Sequence, residues 1–161
     1  MRSKAGGFTL IELIVVITIL GILAAVAIPK LAALQVDARI AKVNGALGSM
    51  KAAASLARAT QLTQGLPATG PGVITMEGVI INMINGYPTA ASIAPAAGIT
   101  APDFNIGTPT AVTGGQSQVS ISSDVNHPAC AVIYVEALAG LAPTYSPALD
   151  PTKPADRVNC S

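Results

Sequence analysis

From Phe8 to Ile28 the chain reads FTLIELIVVITILGILAAVAI, 21 residues that are apolar almost throughout and carry a single charge, Glu12. As a helix rising 1.5 Å per residue this segment spans about 31 Å, one bilayer crossing. Beyond Pro29 the pattern changes. Val36, Ile40, Val43, Leu47, Met50, Ala54 and Ala57 follow one another at alternating intervals of four and three, while Asp37, Arg39, Lys42, Asn44, Lys51 and Arg58 fall off that stripe. The spacing predicts an amphipathic helix with one apolar seam, running to about Gln61 before Gly65 and Pro67 give stop signals. Counted from Phe8, such a helix is about 80 Å long, more than a domain of this size can cover. The half before Pro29 is therefore expected to lie in lipid or against copies of itself, and the half after it to carry a head domain. Gly21 and Pro29 are the weak points, since glycine lowers helix propensity by about 1 kcal/mol and proline removes a backbone donor.

The remainder of the chain reads as strands and loops. Residues 73–84, VITMEGVIINMI, and 130–137, CAVIYVEA, are rich in β-branched residues, and 117–123, SQVSISS, alternates polar and apolar positions. Gly78 splits the first of these into two short strands around a turn. About four antiparallel strands packed on the helix seam give an α+β fold. Residues 87–118, rich in Pro, Gly, Ala, Ser and Thr, are expected to be mostly loop, with a short helix after Thr89.

Charge changes this picture by its distribution. Of 161 residues only 11% are charged against 51% hydrophobic, which excludes a disordered polyelectrolyte and leaves room for one small domain plus an extra segment. Residues 29–65 carry Lys30, Arg39, Lys42, Lys51 and Arg58 against Asp37, a net of +4, whereas residues 66–161 have a net of −4. Opposite charge on helix and head suggests that Arg39, Lys42 and Lys51 offer neighbouring copies a complementary face. An acidic head with five aromatic residues in the whole chain disfavours direct nucleic-acid binding.

Catalytic chemistry is hard to assemble here. His127 is the single histidine and precedes Pro128, so no triad and no histidine-based metal set is expected, and neither a cofactor nor an enzyme activity is implied. Asp150 and Asp156 are expected to be solvated tail charges, because Pro151 and Pro154 interrupt any regular loop of oxygen ligands. Cys130 and Cys160 lack a Cys-x-x-Cys spacing. Either they sit reduced in the core, or they bridge. A bridge would close a loop of about 30 residues worth roughly 3–4 kcal/mol, requires an oxidising compartment, and would tie down a tail containing four prolines.

Glu12 demands a partner, since a carboxylate in an apolar layer costs at least a few kcal/mol unless protonated or paired. Cutting between Gly7 and Phe8 removes Arg2 and Lys4 and creates an α-amine one helical turn before Glu12. The rival is an ordinary signal peptide with Ala25-Val26-Ala27 as its cleavage site, giving a secreted binding domain. That rival places an acid in an apolar region longer than such peptides need, and the helical pattern continues past the cut.

Residues 4–29, KAGGFTLIELIVVITILGILAAVAIP, resemble the prepilin signature shared by type IV pilins and type II secretion pseudopilins: a short basic leader ending in glycine, then phenylalanine, then glutamate as the fifth mature residue. Residues 29–59 and 86–90, together with the late cysteine-bracketed segment, are similar to type IVa major pilins of the mannose-sensitive haemagglutinin kind. The resemblance implies a cleaved leader, 1–7, a transmembrane and filament-core helix, 8–28, an amphipathic helix, 29–64, and a β-sheet head, 65–161, with a disulfide-bounded region at 130–160. It implies cleavage after Gly7 by a prepilin peptidase, N-methylation of Phe8, and recruitment of each subunit by pairing of Glu12 with the Phe8 amine of a neighbour. The helix between Gly21 and Pro29 is implied to loosen on assembly. The implied partners are copies of the same chain in a pilus filament, the membrane before assembly, and the inner-membrane assembly machinery. The precursor would cross the inner membrane once with its head in the periplasm and end in an extracellular fimbrium used for adhesion and motility. A pseudopilin of a secretion system is the alternative, and the two cysteines favour the pilus because major pseudopilins usually lack the bridge.

Overall fold

The computed structural model describes residues 7–161. Arg2, Lys4 and Gly6 of the expected leader lie outside the described residues. The chain forms two compact units, one ending at Gln35 and one running from Val36 to Ser161, and helix α1, Leu10–Thr63, contributes to both.

In the first unit α1 is helical through both Gly21 and Pro29, and its side chains from Leu10 to Gln35 are exposed. Proline at position 29 leaves the Ala25 carbonyl without its usual intrahelical donor.

In the second unit all seven stripe residues, Val36 to Ala57, are buried. The buried face is wider than the stripe, since Ala46, Ala53 and Gln61 are buried too. Small alanines let the strands approach the helix closely without themselves marking a period. After α1 come β1 Pro71–Met76, β2 Val79–Ile84, β3 Tyr87–Pro88, α2 Ile93–Ala96, β4 Asn105–Ile106, β5 Thr110–Val112, β6 Gln116–Ser122, β7 Ala131–Val135, β8 Thr144–Tyr145 and α3 Pro154–Asn159. The architecture is α+β, as expected, with helix packed on small antiparallel sheets.

The sheet count differs from the single four-stranded sheet expected. One sheet has three strands in the order β1-β2-β3, and a second has five, in the order β4-β6-β7-β8 with β5 also on β6. The first is a meander of two-residue turns. Glu77-Gly78 and Asn85-Gly86 all have positive φ, from 48° to 87°, the geometry that matches a tight turn to the twist of its strands. Ile74 pairs with Ile81 and Gly72 with Met83, and Ile74, Ile81 and Met83 close over Ala57. In the second sheet β4 and β5 lie along the same edge of β6, one at Ile121–Ser122 and the other at Gln116–Gln118. The break between them falls at Gly107-Thr108-Pro109. Proline offers no donor to the ladder, and a Cβ on Gly107 would stand 2.6 Å from the Ser120 hydroxyl. Val119, Ile121, Val132 and Tyr134 of this sheet form the larger core with α1, α2 and both cysteines.

The tail is more ordered than its prolines suggest. Cys130 and Cys160 are joined by a disulfide and both are fully buried. Pro154 is the first residue of α3, where a missing N–H costs nothing. Asp150 and Asp156, expected to be plain solvated charges, instead organise this stretch. Asp156 Oδ2 accepts the Asp150 amide at 2.8 Å, and Asp150 Oδ1 accepts both the amide and hydroxyl of Thr152 at 2.8 and 2.7 Å. The two Thr152 bonds, the hydroxyl's first, hold the Asp150 carboxyl below the usual carboxylate range.

Candidate assembly surfaces

The N-terminal unit is built around Thr9 and Glu12. The amide and hydroxyl of Thr9 both donate to Glu12 Oε2, at 2.9 and 2.8 Å, and the Glu12 amide donates back to Thr9 Oγ1 at 3.3 Å. This is a capping box, in which a threonine at the helix start and an acid three residues on satisfy each other's orphan donors. Sequence reasoning missed Thr9, although its signal was present as Thr-x-x-Glu ahead of an apolar run. Both Thr9 donors go to Oε2, and Oε1 takes no partner among the described residues. Phe8 stands just before the cap and is almost fully exposed.

Sixteen large apolar side chains between Phe8 and Leu34 are exposed. At roughly 1.5–3 kcal/mol each for removal from water, they exceed the whole stability of an ordinary domain, so this surface is stable only when covered. The helix is long and apolar enough to cross a bilayer. Gly7, Phe8, Glu12, Gly21 and Pro29 thus all belong to one unit, and Glu12 is the single acid within it.

The head uses most of its helix cations internally. The Arg39 guanidinium lies 3.7 Å from Asp124 and donates to the Cys160 carbonyl at 2.9 Å. Lys42 donates to the carbonyls of Asp103 and, at 2.8 Å, Ser123, and its ammonium stands 4.8 Å from the centre of the Phe104 ring. Arg39 and Lys42, expected to offer a face to neighbouring copies, thus also hold contacts within their own chain, Lys42 while remaining exposed. Lys51 lies over the Tyr145 ring at 5.5 Å and Arg58 over Tyr87 at 4.8 Å, and neither forms an ion pair with an acid among the described residues. Gly86 makes the Arg58 stack possible: a Cβ there would run into the guanidinium and lie 3.2 Å from the Ala68 carbonyl.

Three further contacts fasten the tail and the sheets, and none was singled out from sequence. Asn44 pairs with the Leu149 backbone like a strand, donating to its carbonyl at 2.7 Å and accepting its amide at 2.8 Å. Arg157 pairs with Asp37 at the start of the head. The Glu136 carboxylate accepts the Ala90 amide at 2.7 Å and the Ser117 amide at 3.0 Å, bracketing the loop before α2 to β6. His127 Nδ1 meets Asp124 Oδ1 at 2.7 Å, and that bond is the main cause holding the Asp124 carboxyl below its ordinary value. Burial pushes the Tyr145 hydroxyl up to about 12.

Residues 2–28 match the prokaryotic N-terminal methylation motif. The chain is 38% identical over 78 residues to the type IV narrow pilus major component PilA5 of Thermus thermophilus, which covers 48% of this chain and 64% of that protein. It is 43% identical over 53 residues to the type IV major fimbrial protein FimA of Dichelobacter nodosus, covering 33% of this chain and 34% of that protein. The chain thus spans less than two thirds of either relative. No solved structure matches.

Proposed function

We propose that this chain is the structural subunit of a type IV pilus, polymerising through its N-terminal helix into a surface filament that serves attachment and motility. Its work is assembly rather than catalysis. The observation that carries this reading is the pairing of sixteen uncovered apolar side chains with one acid, Glu12, whose Oε1 has no partner among the described residues. Neither lipid nor water suits both features, whereas a stack of identical helices buries the apolar side chains and supplies a cation. In this proposal a prepilin peptidase removes residues 1–7 between Gly7 and Phe8 and methylates the new amine, and that amine meets Glu12 of the adjoining copy.

Residues 8–28 then pass from the inner membrane to the filament core, 29–64 carry the head, and 65–161 form the outer surface. The inner-membrane pilus machinery is the partner that drives this transfer. The methylation motif and the named pilus and fimbrial relatives support the reading. The disulfide Cys130–Cys160 favours a pilus over a secretion pseudopilin and suits an oxidising periplasm. A continuous helix across Ala27 and Ile28 argues against a signal peptide cut at that point.

The test is to shear fibres from cells that produce the chain and determine its N-terminus by mass spectrometry. A start at N-methylated Phe8 is expected. A start at Ile28, or fibres that lack the chain, would overturn the proposal.

A further inference from the structure

We propose that adjoining heads lock through a specific contact in which the Glu77 turn of one copy enters the Lys51–Tyr145–Tyr87 cleft of the next. This inference rests on the pilus reading above and names the head-to-head surface within it.

Charge that is left over after folding points to these two places. Arg39, Lys42 and Arg157 are each engaged by an acid or by carbonyls of their own chain, and Asp37, Asp124, Glu136, Asp150 and Asp156 all hold hydrogen bonds or ion pairs within it. Glu77 differs. It is exposed at the tip of the β1–β2 turn, with φ of 48°, and forms no ion pair or side-chain hydrogen bond among the described residues. A positive φ is costly for a residue other than glycine, asparagine or aspartate, so the turn holds this carboxylate at its apex at some expense. Among the described residues four cations, Lys30, Lys51, Arg58 and Lys153, form neither an ion pair nor a side-chain hydrogen bond, and of these Lys51 and Arg58 each rest on a tyrosine ring of the head.

The two features sit on opposite flanks of α1. Glu77 shares a groove with Ser49, Ala52, Ala53 and Leu56, whereas Lys51, Ala54 and Ser55 line a cleft of about 180 Å³ with Tyr87, Pro143 and Tyr145. At 3.6 residues per turn these flanks are roughly 150° apart around the helix axis. Glu77 therefore cannot reach Lys51 of its own chain, and a copy placed alongside can present one to the other. Two different surfaces meeting in this way form a heterologous contact, the kind that propagates into an open helical filament. Apolar side chains adjoin the charge on each side, Val79 and Ile80 beside Glu77 and Leu141 beside the cleft, all of them exposed in the single chain. Covering them would dry the ion pair and strengthen it.

Sheared wild-type fibres treated with a zero-length carbodiimide, which joins a carboxylate to an amine only in direct contact, test this. Mass spectrometry is expected to find a Glu77–Lys51 cross-link in fibres and none in detergent-solubilised monomer. In parallel, E77K and K51E are each expected to lower fibre yield about tenfold, and the double exchange to restore it to within about threefold of wild type. Fibres that contain the chain but give no Glu77–Lys51 cross-link overturn the inference and leave the pilus reading standing, as does a double exchange no better than the single ones. Fibres without the chain remove both.

Discussion

Replacing Asn44 with alanine probes how the tail is held to the helix. Its amide makes two hydrogen bonds to the Leu149 backbone, at 2.7 and 2.8 Å, and Leu149 itself packs against the core. Each such bond contributes about 0.5–1.5 kcal/mol net, and the Leu149 amide and carbonyl would be left partly buried without partners. Asn44→Ala is therefore expected to cost about 1–3 kcal/mol. Asn44→Asp should cost more at neutral pH. It keeps the acceptor for the Leu149 amide but turns a second carboxylate oxygen toward the Leu149 carbonyl, so a donor is replaced by repulsion. Because the disulfide still fixes Cys160, the loosening should be confined to the segment between β8 and the bridge. Urea unfolding of the full chain in detergent micelles gives the global cost, about 0.5–2 M in midpoint for a slope near 1.5–2 kcal/mol per M. Hydrogen exchange reads the local effect, and the Leu149 amide should lose protection before those of β6 and β7. Unchanged exchange at Leu149 in the alanine variant, or aspartate tolerated as well as asparagine, would refute this account of the tail.

Other positions give shorter tests. Glu136→Gln puts an amide nitrogen against one of two backbone donors, Ala90 or Ser117, and should lower stability by about 1–3 kcal/mol in thermal unfolding, with no change in the helix signal of α1. Removing the bridge with Cys130→Ser and Cys160→Ser should cost about 3–4 kcal/mol from the 30-residue separation, seen as a lower urea midpoint equal to that of the reduced wild type. The Asp124 and Asp150 carboxyls are both held below their ordinary value of 3.8, so the stability they contribute is fully present above about pH 4 and is lost as pH falls through their folded values. An acid titration followed by near-ultraviolet circular dichroism should stay flat from neutral pH down to about pH 4 and fall below it, and Asp124→Asn should reduce the size of that fall.

Much of the architecture was legible in the chain because long elements leave long patterns. All seven stripe residues from Val36 to Ala57 are buried, the β-branched runs locate β1, β2 and β7, and the polar–apolar alternation at 117–123 locates β6. What escaped was short or borrowed. Strands β3, β4, β5 and β8 have two or three residues each, too few for alternation to register, and they exist because β2, β6 or β7 already offers an edge. Gln61 looks like a surface residue at a helix end, yet it is buried and donates to the Pro67 carbonyl. The fate of the helix cations was also hidden. Net charge by segment placed +4 opposite −4, but only the tertiary contacts show that Arg39 and Lys42 are held by an acid or carbonyls of their own chain while Lys51 and Arg58 meet no acid among the described residues. The Thr9 cap was readable from local spacing and was overshadowed by the apolar run that follows it.

Glu12→Gln tests the central claim most directly, because glutamine keeps a side-chain oxygen for the Thr9 donors and so preserves the helix cap while deleting the charge. The variant should still lose residues 1–7, reach the membrane and form its disulfide, yet yield few or no fibres and fail to enter fibres built by co-produced wild-type chain. Fibres of the variant in wild-type amount would contradict the claim that this acid recruits the subunit.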